Sequence, residues 1–502
     1  MDIFANLLAG FQTIFTFETM ACLFIGTFLG TLIGALPGMG ASTGTSILLP
    51  LTFSMSPINA LVMLMGVYYG TQYGGSITAI LLNIPGTSSS AITALDGYAL
   101  MRKGKAALSL GTAQFSSFIG GMLSTLMLTV CGVALAQVAL KFSAPEYFAL
   151  TLMGLTLVSG LTGSYPAKGY TMMLIGMIIG CVGIDTVSGI ERFAFGSLHL
   201  VDGFKTVPIL VGLLGFSELM GTIEKGLRKN DHSALPAKIK ARDMIPQKAE
   251  WKNISLPALR GTIIGFVVGA LPGAGATIAS VLAYGYQKKK TKNPEYGNGA
   301  VDGVAVAEAS NNASTGGAMV PMLALGIPGS PTTAILMTAL VMFGMKTGPQ
   351  LFTTNGTTIW AVIASMYVGN VFLLVINILM VPLLILILRH AQSILTPLVA
   401  ALCIVGVYSL YGRIFDVGVM LVFAVIGYFL KKFNFPILPL ILGVILGPTA
   451  ESAFRQAMVL SGGSALVFFT RPISCVMMII CFASFFYSPI KRAVTKRIQA
   501  KK

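Results

Sequence analysis

This 502-residue chain is short of charge. Only 10% of its residues are Asp, Glu, Lys or Arg, against about 25% in a soluble globular chain. With 55% hydrophobic residues and a mean hydropathy of +0.83, it reads as an all-α polytopic membrane protein. Histidine is limited to His199, His232 and His390, which form no HExxH motif, and this excludes the helical zinc site of metalloproteases. No G-x-x-x-x-G-K-[ST] stretch is present, so the chain does not hydrolyse ATP through a P-loop. The six cysteines, Cys22, Cys131, Cys181, Cys403, Cys475 and Cys481, are scattered through apolar segments without a CxxC. They read as small buried hydrophobes rather than metal ligands. No basic n-region precedes the first apolar stretch, where Asp2 stands instead, so no cleaved signal is expected. Without a metal set, a triad or paired carboxylates, the chain is not expected to be an enzyme or to need a cofactor beyond a coupling ion.

Basic residues outnumber acidic ones, giving a net charge of +16. They sit in a few short connections: Arg102 to Lys105, Lys225 to Arg260, Lys288 to Lys292, Lys431 and Lys432, and the tail from Lys491 to Lys502. That is the positive-inside bias of cytoplasmic loops, not a nucleic-acid surface. The tail is expected to lie at the cytoplasmic face against anionic lipid heads.

The chain breaks its apolar runs twice in each half. Gly34-Ala35-Leu36-Pro37-Gly38-Met39-Gly40-Ala41 recurs, with one difference, as Gly269-Ala270-Leu271-Pro272-Gly273-Ala274-Gly275-Ala276. Ile84-Pro85-Gly86-Thr87-Ser88-Ser89-Ser90-Ala91 is matched by Ile327-Pro328-Gly329-Ser330-Pro331-Thr332-Thr333-Ala334. Pro removes a backbone donor and Gly holds helix poorly. Unwound backbone at membrane depth persists only where protein or a watery cavity satisfies it. Paired breaks in two halves are the sequence pattern of secondary transporters. The tips at Pro37, Gly38, Gly40, Pro85, Gly86, Pro272, Gly273, Gly275, Pro328 and Gly329 therefore mark a candidate binding site.

The charges divide the chain into a membrane repeat over 1–224, a cytoplasmic basic linker over 225–255, a second membrane repeat over 256–490 and a basic tail over 491–502. Leu256–Leu271 and Ala276–Gln287 amount to about 24 and 18 Å of helix, each too short for a bilayer core of about 30 Å. Basic residues flank both ends, so the segment is expected to enter and turn back at its tip, with a broken spanning helix as the alternative. Its first-half counterpart, Thr19 to Leu51, has no basic flank on either side and suits the periplasmic face. Crossings over Pro57 to Leu82 and Gly299 to Gly326 follow. Roughly 10–12 crossings in two inverted-topology repeats result, with elevator-like movement of the hairpin-bearing part as the expected mechanism.

Polar tracts of small residues adjoin each break: Ser42 and Thr43; Thr87, Ser88 and Ser89; Asn311 and Asn312; Ser330, Thr332 and Thr333. Hydroxyls, amides and helix N-termini suit a carboxylate, while freed carbonyls suit Na⁺. Close helix packing explains any single one of these residues equally well. Glu308 and Asp96 are acids within or beside apolar runs and are candidates for ion coupling, with a helix-capping role as the alternative for both. Tyr68, Tyr69 and Tyr73 correspond roughly to Asn311, Asn312 and Thr315. No Arg or Lys lies in the repeated tips, so a co-bound cation has to offset a multivalent anion, which favours Na⁺ over H⁺. The stretch from Asp185 to Lys205 reads as a solvated periplasmic loop, with a docking surface for another subunit as the alternative.

In Tyr68 to Lys105, Glu191 to Gly203, Glu308 to Thr333 and the two Leu-Pro-Gly motifs, the chain resembles the large membrane subunit of the bacterial tripartite tricarboxylate transporters. The likeness covers almost the whole length. It implies a small membrane partner of about four helices, a periplasmic solute-binding protein, and import of organic carboxylates such as citrate across the bacterial inner membrane, driven by Na⁺ or H⁺. A passive anion channel and a scaffold subunit remain as alternatives.

Overall fold

The computed structural model describes residues 3–36, 40–83, 85–139, 141–161, 166–185, 189–224, 239–272, 275–291, 293–390, 392–483 and 485. The tail and the linker residues 225–238 lie outside them. The longer helices of the first half are α1 (Ile3–Ile14), α2 (Phe17–Gly34), α3 (Ala41–Leu48), α4 (Pro57–Leu82), α5 (Ser90–Arg102), α6 (Ala106–Ala139), α7 (Ala144–Leu161) and α8 (Pro166–Gly180). Those of the second half are α9 (Lys248–Gly269), α10 (Gly275–Thr291), α11 (Val301–Leu325), α12 (Pro331–Met342), α13 (Gly356–His390), α14 (Gln392–Tyr411), α15 (Ile414–Lys432) and α16 (Ile437–Leu460). Among the described residues the only sheet is the two-stranded pairing of β1 (Gly183–Ile184) with β2 (Glu191–Arg192).

Glycine spacing dictates how the centre packs. A Cβ added at Gly26, Gly30 or Gly34 of α2 would stand 2.3, 2.6 and 2.3 Å from the carbonyl oxygens of Met63, Val67 and Thr71 on α4. One at Gly261, Gly265 or Gly269 of α9 would stand 2.5, 2.4 and 2.4 Å from those of Val306, Ser310 and Ser314 on α11. Lipid gives helices no hydrophobic reason to associate, so backbone approach at small residues supplies the packing. The contacts advance in step, so α2 runs parallel to α4 and α9 runs parallel to α11.

Parallel neighbours require the intervening chain to travel back. In the first half α3 and the 3₁₀ turn Leu49–Ser54 do so, and Thr19 at the start of α2 donates to Asn59 at the start of α4 over 2.7 Å. In the second half α10 returns along α9, and Arg260 donates to Gln287 across the hairpin at 3.1 Å. At both Leu-Pro-Gly segments the chain doubles back along the helix before it. The length argument for this needs correction. α9 begins at Lys248, capped reciprocally by Gln247 and Glu250, so it is about 33 Å long, and a polar first turn extends it past the apolar run.

α4 and α11 form the centre and are buried along almost their whole length. Ser76, late in α4, meets Glu308, early in α11, whereas Tyr68, earlier in α4, reaches Ser330 beyond the end of α11. The two helices are therefore antiparallel. α6 flanks α11, where a Cβ at Gly120 would meet the Ala309 carbonyl at 2.3 Å. α13 flanks α4, and Tyr73 donates to Asn370 at 3.4 Å. Each half thus lends a helix to the other's centre.

Among the described residues, Phe17–Gly34, Ala106–Gln137, Gly356–Val381, Ile414–Lys432 and Ile437–Leu460 are both long and apolar enough to cross a membrane. α4 and α11 have the length, about 39 and 38 Å. Protein rather than lipid surrounds them, so they tolerate polar side chains that a lipid-facing helix could not. Cysteine burial is mixed: Cys403 and Cys481 are buried, while Cys131 is exposed on α6, where an apolar helix face needs no protein cover.

The stretch after α8 is more ordered than a solvated loop. Arg192 on β2 donates to both carboxylate oxygens of Glu451 on α16, at 2.9 and 3.2 Å. Arg455, one turn on, bridges Glu451 and the buried Asp185 at 2.6 and 2.8 Å. This ring of two arginines and two acids pins the β1–β2 turn to α16.

Candidate functional site

Four of the ten tip residues belong to the second pair of breaks, and there the two halves share a left-handed helix end and a reciprocal pair of turn hydrogen bonds. α4 ends on Asn83 at φ 54° and α11 on Gly326 at φ 71°, both left-handed. Such a C-cap ends a helix without leaving its last carbonyls bare. The chain then passes Pro85-Gly86 or Pro328-Gly329 into α5 or α12. The Thr87 amide donates to Ser90 Oγ at 3.3 Å, and Ser90 Oγ donates back to the Thr87 carbonyl at 2.8 Å. In the other half the Ser330 amide donates to Thr333 Oγ1 at 2.8 Å, and Thr333 Oγ1 donates to the Ser330 carbonyl at 3.0 Å. The Thr333 amide also donates to Ser330 Oγ at 3.2 Å, closing a capping box.

These second breaks sit on the ends of the first. A Cβ at Gly86 would lie 1.9 Å from the Gly34 carbonyl oxygen, where α2 ends, and one at Gly329 would lie 3.4 Å from that of Gly269, where α9 ends. Each half therefore brings the end of α2 or α9 and its Pro-Gly turn into one place. Pro37, Gly38 and Gly273 lie outside the described residues. Gly40 precedes α3 with open space around it, Pro272 is in the turn, and Gly275 opens α10 at φ +63°.

The polar candidates separate by surroundings. Thr87 and Ser89 are buried and Ser88 is exposed; Ser89 donates to Gln72 of α4 at 3.3 Å. Ser330, Thr332 and Thr333 are buried. Thr43 turns to the Leu214 carbonyl at 3.4 Å, and Ser42 is half-buried, so this tract packs on the 206–224 helical stretch rather than joining the other three.

Glu308 is fully buried. Its carboxylate accepts from Ser76 of α4 at 2.8 Å, Ser117 of α6 at 3.0 Å and Thr93 of α5. Asn312 donates to Ser117 at 2.7 Å. Asn311 lies beside Glu308 at zero exposure, and neither its amide nor its carbonyl meets hydrogen-bond geometry with any group. Among the described residues no Lys, Arg or His pairs with this acid. Hydrogen bonds to a charge contribute about 1.5–3 kcal/mol each, against a desolvation of several kcal/mol for the ion.

Asp96 has a different environment. One carboxylate oxygen accepts from the backbone amides of Gly297, Gly299 and Ala300 at 2.7, 2.9 and 2.9 Å, and the other from Tyr284 at 2.8 Å. It fastens the α10–α11 connection to α5 and caps the start of α11.

A cleft of about 330 Å³ reaches the Gly326 cap from the side of α7 and α16, and Tyr147, Thr151, Thr206, Thr338 and Thr449 supply hydroxyls along it. Sequence reasoning missed Ser76, Thr93, Ser117 and Gln72. The polar run Gln114 to Ser117 inside an apolar helix was the available sign. What made it matter, its approach to Glu308 across the halves, is a tertiary fact.

The model of the tripartite tricarboxylate transporter TctA family matches residues 20–442. The chain belongs to that family. It is 39% identical over 485 residues to an uncharacterized 52.8 kDa protein of the TAR-I ttuC' 3' region of Agrobacterium vitis, covering 96% of this chain and 95% of that one. A shorter protein of the TAR-II ttuC' 3' region of the same organism is 37% identical over 215 residues, covering 43% of this chain and 89% of its own length. No solved structure matches. Membership in TctA makes this multi-pass chain a subunit of a tripartite tricarboxylate transporter, which agrees with the paired breaks and with a transporter rather than an enzyme.

Proposed function

We propose that this TctA chain is the transport subunit that imports organic carboxylates such as citrate across the bacterial inner membrane, coupled to an ion gradient and with its C-terminus in the cytoplasm. The carrying observation is the repeated junction of a helix end, Gly34 or Gly269, with a Pro-Gly turn that leads into hydroxyl-bearing residues in both halves. Thr87, Ser88 and Ser89 of one half and Ser330, Thr332, Thr333, Asn311 and Asn312 of the other are the substrate contacts. Ser42 and Thr43 support the first hairpin. The antiparallel course of α4 and α11 supports inverted repeats, and paired hairpins support an elevator-like movement. Tips without Arg or Lys favour Na⁺ over H⁺. Of the two acids, Glu308 is the one ringed by hydroxyls of three other helices, and Asp96 serves the fold. A periplasmic solute-binding protein delivers the substrate and a small four-helix membrane subunit completes the complex.

The test is uptake of labelled citrate into proteoliposomes holding this chain and its small partner, with an inward Na⁺ gradient or a matched K⁺ gradient, with and without the binding protein. Uptake that needs both Na⁺ and the binding protein is expected. Uptake with neither indicates a passive channel. Uptake unchanged by disruption of both Pro-Gly turns indicates a scaffold.

A further inference from the structure

We infer that the Glu308 pocket is the binding site of one dehydrated Na⁺ ion. Glu308 is fully buried and no basic side chain neutralises it among the described residues, so its ionised form requires a cation from outside the chain. The oxygens that surround it come from four helices: Ser76 of α4, Thr93 of α5, Ser117 of α6, and Glu308 itself with Asn311 of α11. Hard cations take oxygen ligands of this kind. One carboxylate among neutral hydroxyls and an amide matches a single positive charge, whereas divalent ions draw on more carboxylates. The unengaged Asn311 carbonyl supplies an independent sign. A buried amide without a partner is rare, and this one lies beside the carboxylate, where it can add a neutral oxygen to the ion. On ion binding the three hydroxyls turn their protons away and present lone pairs instead.

The pocket also reaches the substrate side. Ser76 donates to the Gln72 carbonyl at 3.2 Å, and the Gln72 side chain accepts from Ser89 at the Pro-Gly turn at 3.3 Å. Thr93 lies on α5 itself, one turn beyond its start. An ion at Glu308 therefore holds α5, with Thr87 and Ser89, against α11 of the other half. The assignment takes its role in coupling, though not its geometry, from the import reading above.

The test is equilibrium binding of ²²Na⁺ to the purified full-length chain in detergent, with uptake measured in parallel in proteoliposomes. Saturable binding near one ion per chain is expected. Glu308→Gln, Thr93→Ala and Asn311→Ala should each weaken it about tenfold or more, the scale on which changes around metal sites are felt. If Glu308→Gln does not fold, the two smaller truncations carry the test. No saturable binding by the unaltered chain, or binding unchanged in the folded variants, overturns the site. Na⁺-driven uptake alongside unchanged binding in the variants means the ion sits elsewhere and the import reading stands. Na⁺ binding lost with Glu308 but no gradient-driven uptake of any carboxylate means the site stands and the import reading falls.

Discussion

The two Pro-Gly turns are alike in sequence and in hydrogen bonding, yet a single methyl group should separate them. At Gly86 an added Cβ meets the Gly34 carbonyl oxygen at 1.9 Å and the Gly75 Cα at 2.8 Å. Both obstacles are backbone and cannot swing aside, so Gly86→Ala must part the turn from the end of α2 until ordinary contact at 3.4 Å or beyond is restored. Overpacking of this kind costs about 1–3 kcal/mol or more. At Gly329 the nearest atoms, on Ala318 and at the Gly269 carbonyl, already lie 3.4 Å away, and alanine fits. Gly86→Ala should lower the thermal midpoint in detergent and abolish most carboxylate uptake, while Gly329→Ala should retain both. Equal behaviour of the two variants, in either direction, would refute the claim that the first-half junction is closed tighter than the second.

Other substitutions separate the roles of the polar residues. Asp96→Ala strands three backbone amides and the Tyr284 hydroxyl, at about 1–3 kcal/mol for each buried donor left without a partner. It should reduce the yield of folded protein, and any folded fraction should keep the ion dependence of the unaltered chain. Thr333→Ala removes half of the α12 capping box, a loss of about 1 kcal/mol, and should impair uptake without removing the protein from the membrane; normal kinetics would argue against the junction as the site. Lys103 lowers the Glu295 carboxyl through a 2.8 Å bond. That contribution is present above the ordinary glutamate range and fades as pH falls through the lowered value. Both side chains are about half exposed, so Glu295→Gln should leave the pH dependence of stability unchanged within error.

The breaks were legible because Pro and Gly interrupt apolar runs at corresponding places. α4 runs over the anticipated Pro57 to Leu82, since Ser56 caps its start and Asn83 its end. The helix before the second Leu-Pro-Gly starts at Lys248, earlier than the apolar run suggests, because charged turns at a helix start do not show in hydropathy. The number of crossings was harder to read. α4 and α11 carry Gln72, Glu308 and Asn311 through the middle of the protein, and a helix shielded from lipid gives no apolar signature. The glycine stripes of α2 and α9 were in plain view, but which helix they face follows only from the packing. For the same reason Asp96 and Glu308 looked alike as acids in apolar surroundings, and only their neighbours distinguish a loop anchor from an acid ringed by hydroxyls.

The most direct measurement of the central claim is substrate protection at the two junctions. Ser88→Cys and Ser330→Cys, each placed in a chain whose six native cysteines are replaced, would be labelled with a membrane-impermeant thiol reagent in proteoliposomes competent for uptake. The account predicts that a saturating carboxylate substrate slows labelling at both positions and that the two are reached from opposite sides of the membrane. Labelling of both at rates indifferent to substrate, while uptake proceeds, would contradict it.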